Sequence, residues 1–397
     1  MARTVLERYK LLIRILRLCS ALCGADVLDP EYKVNLLTWI VIAFINLFYI
    51  FTGYTIYVNL YVEGEWTNVL QALCMVGSAV QGFCKLLNAI WNKKYLIELL
   101  STLEAIYEEY DRKHVEYRKC LNKSINTVDK CIKSMAVVYA GLLVGVIGVM
   151  PFFRLFYNRR VFVMQFLLPG IDPNTNHGFI IMNFMHCCCI FFGAFGNFAA
   201  DSCFFTLVSH VPLFKDILLC KFHDLNVKLK ADDDDDGDGD ENEGHQNCRE
   251  LLKDILQWHQ HYMRYISTVK ENYFWVIMVQ FATMTLSLAC TLFCLILGKW
   301  PGGQTYLAYC FIMLHVYCCL GTMIEISNDG FIDSCYTEVI WYRLPVAERK
   351  MLLMMLMMSQ NAGGLTIGAV IPLTMNTGLQ LTKMIYTMTM MLINFLN

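Results

Sequence analysis

Charged side chains are missing from seven long stretches of this chain of 397 residues. The stretches hold between 19 and 32 residues each: 34–62, 66–84, 134–153, 173–200, 272–298, 300–324 and 351–382. A helix needs about 20 apolar residues to cross a bilayer, and it satisfies its own backbone hydrogen bonds there, as hydrocarbon demands. We therefore predict an all-α membrane protein with seven transmembrane helices, at 36–61, 67–91, 130–153, 177–211, 271–298, 304–327 and 365–396.

Basic residues are shared unevenly between the segments that connect these helices. The N-terminal segment and the loops that alternate with it carry 25 Lys and Arg, whereas the loops 153–176 and 299–304 carry 4. Basic loops stay in the cytoplasm. The pattern predicts a cytosolic N-terminus and an extracellular C-terminus, opposite to a G-protein-coupled receptor. Residues 1–17 are expected to form a basic amphipathic helix on the inner leaflet.

The composition excludes several classes of protein. Hydrophobic residues make up 56% of the chain and charged residues only 17%, below the roughly one quarter of a soluble domain. A net charge of -2 argues against a nucleic-acid partner. The motifs of nucleophilic catalysis, nucleotide binding and zinc binding are absent, and the 18 cysteines lack metal-site spacing. We expect no enzyme, no catalytic residue, no metal site and no cofactor.

An acidic run between the fourth and fifth predicted helices matches the pattern of a calcium-binding EF-hand loop. Asp232, Asp234, Asp236, Gly237 and Glu243 fall at positions 1, 3, 5, 6 and 12 of that pattern. A run of acidic residues that contains two glycines matches the EF-hand pattern easily by chance. Position 8 of the pattern is usually apolar, and here it is a glycine. We interpret the run as a disordered, self-repelling insertion in a cytosolic loop.

The chain divides into three predicted sections. The seventh helix is split by the sequence Asn-Ala-Gly-Gly at 361–364, since glycines interrupt helices. The fourth and fifth helices are predicted to extend into the cytosol, to His210 and from residue 247. The predicted sections are a cytosolic N-terminal segment 1–35, a membrane domain 36–345 with an acidic insertion at about 231–247, and the split seventh helix 346–397, made of a cytosolic anchor 346–362 and a pore-lining helix 365–397.

Aromatic and methionine side chains crowd the second to sixth helices. Most of them are expected to pack between helices or against lipid, and sequence does not separate these from pocket residues. A subset is expected to line a small apolar cavity in the outer half of the membrane, which would bind a volatile organic molecule by shape and dispersion. The candidates for this site are Met75, Phe83, Tyr139, Phe184, Phe191, Phe192, Tyr309, Met313 and Tyr317.

Several ionisable side chains fall within predicted spans, among them His186, Lys85 and Lys383, and such residues are often functional. His186 is expected to be a neutral histidine bonded to a neighbouring helix. Lys85 is expected to reach the membrane interface with its long side chain. Lys383 either does the same or faces a water-filled path.

A loose residue pattern marks the C-terminal part of the chain. It consists of Ser334-Cys335-Tyr336, Trp341, Arg349-Lys350, Gln360, Gly368, Pro372-Leu373, Lys383 and Tyr386. This pattern, over about the last 70 residues, resembles that of the insect odorant receptors, and the helix arrangement of the rest is similar to theirs. Two positions depart from the family pattern: Leu379 replaces an aromatic residue and Thr387 replaces a serine.

The resemblance implies an odorant-gated, non-selective cation channel in the plasma membrane of an olfactory neuron's dendrite. It implies hetero-oligomers, as tetramers, with an odorant receptor coreceptor, and a small volatile ligand bound in an apolar pocket within each subunit. The spanning half of the seventh helix would line the central pore. We expect Thr389, Leu392 and Ile393 to face that pore, where an apolar ring can close it by dewetting, although some of them could face lipid instead.

Three other classes of protein remain as alternatives. A gustatory receptor channel shares the implied fold and differs in ligand and partners. A G-protein-coupled chemoreceptor would need the opposite charge bias. A transporter would show internal repeats and broken helices in matched halves, and this chain breaks only its seventh helix.

Overall fold

A computed structural model of the chain describes residues 4–29, 31–62, 64, 66–158, 160–164, 166–234, 241–298, 300, 302–361 and 363–396. The described residues are nearly all helical. The helices are α1 (Val5–Leu22), α2 (Leu36–Tyr57, continued by a π-helical turn Val58–Val62), α3 (Trp66–Cys74), α4 (Val76–Trp91), α5 (Lys93–Tyr110), α6 (Val115–Tyr157), α7 (Asn176–Ser209), α8 (Val211–Asp234), α9 (Glu241–Ile296), α10 (Gly303–Thr337), α11 (Val346–Ser359) and α12 (Met375–Leu396).

The predicted helical membrane fold is confirmed. Among the described residues, six helical segments are long and apolar enough to cross a membrane: Leu36–Val62, Ala72–Trp91, Val115–Tyr157, Asn176–Lys230, Cys248–Ile296 and Gly303–Thr337. They correspond to the first six predicted spans. Helix α12 corresponds to the seventh; it has 22 residues, roughly 33 Å of helix, and is less apolar because it includes Lys383 and several threonines.

The second predicted helix is interrupted where the structure needs a close approach. Met75 separates α3 from α4. Two residues further on, Gly77 lies against α9, and a Cβ atom there would come within 2.1 Å of the Ser287 hydroxyl oxygen. The periodicity of apolar residues does not report such an interruption, because both pieces are apolar.

The N-terminal helix α1 packs on protein along one face, and its contact with the inner leaflet stays a prediction. Its first turn is closed by a capping box between Thr4 and Glu7. Its buried face, which includes Tyr9 and Leu12, packs against α5, α6 and α7. The Tyr9 hydroxyl donates to the Leu100 carbonyl at 2.9 Å, and burial raises the pKa of this phenol well above its ordinary value.

The extended helices of the prediction are present. Helix α7 has 34 residues and α8 follows it almost directly, while α9 has 56 residues, roughly 80 Å. Helix α9 lies at the centre of the fold, where it contacts α3, α4, α8, α10 and α12. The side chains that join α7, α8 and α9 include Phe205, Leu207 and Phe214, all of which are fully buried.

The region after α11 departs from the prediction. A two-stranded antiparallel hairpin of β1 (Thr366–Ile367) and β2 (Ile371–Pro372) replaces the start of the spanning helix, and α12 begins only at Met375. Gly368 turns the hairpin at a φ of +62°, which favours glycine. The chain then packs tightly on α10, because a Cβ at Gly321 would fall 1.9 Å from the Leu373 carbonyl oxygen.

Candidate ligand pocket

A cavity of about 170 Å³ lies among α2, α4, α6, α7, α9 and α10. Its walls are mostly apolar, with side chains such as Phe44, Phe48 and Val146. At one end the lining includes Met164 of the loop between α6 and α7, and at the other it includes Ser20 of α1 and Leu96 of α5. The cavity therefore runs further along the bundle than the pocket that the sequence predicted.

One wall of the cavity is polar, and we call it the polar cluster. Its centre is Asp201 on α7, whose Oδ1 atom lies 2.5 Å from Lys85 Nζ and accepts from the Tyr317 hydroxyl at 2.6 Å. The Tyr139 hydroxyl donates to Oδ2 at 2.5 Å and accepts from the Tyr309 hydroxyl at 3.0 Å. With Asn197, which accepts from Lys85, the polar cluster consists of Lys85, Tyr139, Asn197, Asp201, Tyr309 and Tyr317.

Lys85 corrects the expectation that it reaches the membrane interface. Its side chain is buried because α7 offers it an opposite charge, Asp201, and the Asn197 amide oxygen at 3.2 Å. The Asn197 amide is held in turn by the Gly193 carbonyl at 2.9 Å, and Gly82 leaves room for it. Further hydrogen bonds of this kind help to offset the cost of burying an ion pair.

The sequence contains a signal that favours this ion pair. Lys85 and Asp201 each stand alone at the end of a charge-free stretch, inside a predicted span. Lone opposite charges in separate spans tend to pair, because an isolated charge in the membrane interior is costly. Sequence alone does not show whether the two helices that carry these residues lie side by side.

Five of the nine residues predicted for the site line the cavity, and four lie elsewhere. Met75, Tyr139, Phe192, Tyr309 and Tyr317 are in the lining. Of the others, the Phe184 side chain is 67% exposed and Phe191 is also exposed, so both point outwards from α7. Met313 is fully buried but outside the lining, and the half-buried Phe83 is also outside it. Periodicity does not decide which face of an apolar helix turns towards a cavity.

The loop between α6 and α7 forms the roof of the cavity. Met164 and Phe166 are buried there, and polar side chains of α7 and α2 satisfy the loop's backbone. The Met164 amide donates to His186 Nδ1 at 3.3 Å, and His186 Nε2 donates to the Phe166 carbonyl at 3.0 Å. The Leu167 amide donates to the Thr55 hydroxyl at 2.7 Å. His186 is thus the neutral, hydrogen-bonded histidine of the prediction, although its partner is a loop rather than a helix.

Helix α12 buries one of its three predicted pore residues. Thr389 is 1% exposed, and its hydroxyl donates to the Ile385 carbonyl within the helix at 2.9 Å. Leu392 and Ile393 are half-buried on the same face. The exposed face carries other residues, among them Met391, and Lys383 also lies on it.

The structure also bears on metal binding. Among the described residues, no group of three His, Cys, Asp or Glu side chains could hold a metal ion. The side chains of the acidic run 232–243 lie outside the described residues. No disulfide joins any of the 18 cysteines, all of which lie within the described residues.

Comparison with known proteins places the chain in a family. The sequence model of the family described as "7tm Odorant receptor" matches residues 65–386. The putative odorant receptor 83c of Drosophila melanogaster is 28% identical over 397 residues, which cover 98% of each chain. The structure is similar to that of the insect olfactory receptor OR5 from Machilis hrabei in complex with eugenol, with a TM-score of 0.77 and 14% identity over 99% of this chain and 100% of that one.

A second structure of the same Machilis hrabei receptor, without eugenol in its description, aligns with a TM-score of 0.71 and 14% identity, over 96% of this chain and 97% of that one. The family match and the fold together define a multi-pass membrane receptor and not an enzyme. The chain belongs to the odorant receptor family.

Proposed function

We propose that this chain is the tuning subunit of an odorant-gated, non-selective cation channel, which it forms as a hetero-oligomer, a tetramer, with an odorant receptor coreceptor. The observation that carries the proposal is the cavity enclosed by helices of a chain with the fold of a solved olfactory receptor. That receptor's structure contains eugenol, a small organic molecule, and the mostly apolar walls described above suit a ligand of the same kind.

The proposed orientation rests on charge. The segments with 25 basic residues would lie in the cytosol, and the loops with 4 would lie outside. The roof of the cavity, between α6 and α7, would then face the exterior, from which an odorant arrives. The proposed location is the plasma membrane of an olfactory neuron's dendrite.

The proposed pore lies along α12. A pore between subunits is bounded by surfaces that are exposed on a single subunit, so the burial of Thr389 argues against a pore-facing role for that residue. We move the proposed pore face to the exposed side of α12, which includes Thr387, Met390 and Met391. Methionine side chains in a ring can close a pore by excluding water. A ligand would open it by binding the open state more tightly than the closed state.

The test is whole-cell current in cells that express this chain with and without an insect coreceptor, while G-protein signalling is blocked. We expect small volatile aromatics and alcohols to evoke a rapid cation current only when both subunits are present. A response that needs G-protein signalling, or no current from protein shown at the cell surface, would contradict the proposal. The first result would favour a metabotropic receptor, and the second would favour a gustatory receptor with other ligands.

A further inference from the structure

We propose that the polar cluster binds the head group of the odorant, so that this receptor selects neutral molecules with an apolar body and one oxygen-bearing end group. The inference rests on the proposed odorant receptor channel and adds the chemical class of its ligand. It departs from the prediction from sequence, in which an apolar cavity recognises its ligand by shape alone.

The polar cluster lies where a ligand in the cavity can reach it. All six of its residues line the cavity, whereas the rest of the lining is mostly apolar, as at Leu142, Val146 and Ile190. A molecule in this cavity therefore meets apolar surface along most of its length and polar atoms on one wall. Such a site orients a ligand that has one polar end.

The polar cluster also retains hydrogen-bonding capacity that a ligand can use. An ammonium group has three donors. Within the part of the chain that the structure describes, Lys85 contacts Asp201 Oδ1 and Asn197 Oδ1, so one donor remains for an oxygen acceptor. The Tyr309 hydroxyl donates to Tyr139 and keeps lone pairs that accept from a ligand hydroxyl.

The charges of the polar cluster also restrict which ligands can bind. Lys85 and Asp201 neutralise each other, and each is buried. A carboxylate or ammonium ligand would add an unpaired charge to this buried site, which is costly. A hydrocarbon would leave the cluster's remaining donor and acceptor without partners, and sites built to bond an oxygen reject analogues that lack it. Neutral alcohols, aldehydes and ketones satisfy both conditions.

Three probes with the same number of heavy atoms test this: decanol, decanal and undecane. The purified full-length receptor in lipid nanodiscs is heated with increasing amounts of each, and the shift in its unfolding midpoint reports affinity, since a ligand that binds only the folded state stabilises it. We expect the two oxygenated probes to bind at least about tenfold more tightly than undecane, because a hydrogen bond to a charged group is typically worth that much.

Two variants and a control identify the cluster as the cause. The double variant Lys85→Met with Asp201→Leu replaces the ion pair by apolar side chains and leaves no unpaired charge, so it is expected to fold. It should bind all three probes with similar affinity. Tyr309→Phe removes one hydroxyl and should weaken decanol more than undecane. Tyr265→Phe is the control, because its buried hydroxyl bonds the Leu207 carbonyl at 2.8 Å and lies outside the cavity lining.

Three results would overturn the inference: equal affinity for the three probes in the unmodified receptor, an oxygen preference that survives in both variants, or no midpoint shift with any probe. These outcomes are separate from failure of the proposed channel. If the oxygenated probes bind selectively but evoke no current with the coreceptor, the channel proposal fails and the ligand class stands. If currents appear without an oxygen preference, the reverse holds.

Discussion

The two ends of α7 are packed in different ways. Every residue of α7 from Asp201 to Ser209 is buried, and this stretch bonds to α9 through the Leu207 carbonyl and to α10 through Asp201. Earlier in the same helix, Gly193 and Gly196 line the cavity, and a Cβ atom at either would meet nothing within 4 Å. The polar cluster lies at the boundary, since Asp201 is the first residue of the buried stretch.

This difference in packing indicates which part of the receptor can respond to a ligand. Close-packed interiors resist change and transmit displacement, whereas a cavity can accept new contacts without loss of existing ones. A ligand in the cavity would touch the polar cluster, which joins α4, α6, α7 and α10 by an ion pair and hydrogen bonds. Each prediction below changes one side of this boundary.

The largest effect is expected at the boundary itself. Asp201→Ala leaves Lys85 buried without its opposite charge and removes the acceptor of two tyrosines, a loss of about 3–5 kcal/mol in the free energy of unfolding. Thermal unfolding and surface expression should both fall. The double variant Lys85→Met with Asp201→Leu is the control and should recover the part of the loss that comes from the unpaired charge, whereas the two tyrosine hydroxyls still lack their acceptor. Unchanged stability in Asp201→Ala would mean that the ion pair does not form.

The second prediction compares a packed aromatic with one that lines the cavity. Phe205→Ala empties a fully buried site and is expected to cost about 3 kcal/mol or more of unfolding free energy. Phe192→Ala should cost about half of that or less, because the half-buried Phe192 already borders empty space. Denaturation of the purified variants measures both. Equal losses would show that the two ends of α7 are packed alike.

The third prediction concerns the roof. His186→Ala removes the two hydrogen bonds that this side chain makes to the α6–α7 loop and leaves the Met164 amide without that acceptor, at a cost of about 1–3 kcal/mol. Hydrogen exchange of the amides near Met164 should become faster, and the helices should change little. His177→Ala, an exposed histidine on the same helix, is the control and should leave exchange unaltered. Protection that survives in His186→Ala would contradict the role given to this side chain.

The smallest effect is expected at Phe184, which the crowding of aromatic residues made a candidate for the pocket. Because its side chain points outwards, Phe184→Ala should leave the ranking of odorants unchanged and stability within about 0.5 kcal/mol. Tyr139→Phe, which removes a hydroxyl from the polar cluster, should alter the ranking. Dose–response currents for a panel of odorants measure both. A changed ranking in Phe184→Ala at normal expression would place the binding site outside the cavity.

The sequence predicts the helices well because charge-free stretches and basic loops are local features. The same kind of evidence places Met75 and Tyr139 within helices but does not show which side of each helix meets a cavity. The pairing of Lys85 with Asp201 depends on how α4 packs against α7, and the roof loop depends on partners such as His186 that are distant along the chain. These are tertiary contacts, which residue patterns do not specify.

The C-terminal hairpin shows the same limit on a smaller scale. Gly363-Gly364 correctly predicts a break, but the spanning helix begins about ten residues later than expected, at Met375. Tertiary packing of Leu373 on Gly321 overrides the apolar pattern there. The residue pattern does not identify the pore face of α12 for the same reason. Thr389 and Met391 differ in exposure, and nothing in the pattern distinguishes them.

The central claim is that a ligand in this cavity opens the channel, and filling the cavity tests it most directly. Gly196→Leu adds a side chain at a residue of the cavity lining where a Cβ atom would meet nothing within 4 Å. Gly148→Leu is the control, because Gly148 is a half-buried glycine on α6 outside the lining where a Cβ atom also would meet nothing within 4 Å. We measure coreceptor-dependent current against odorant concentration at matched surface expression. The account predicts that Gly196→Leu raises the half-maximal concentration at least about tenfold, since overpacking costs about 1–3 kcal/mol, while Gly148→Leu responds like the unmodified receptor. An unmodified response from Gly196→Leu would contradict the account.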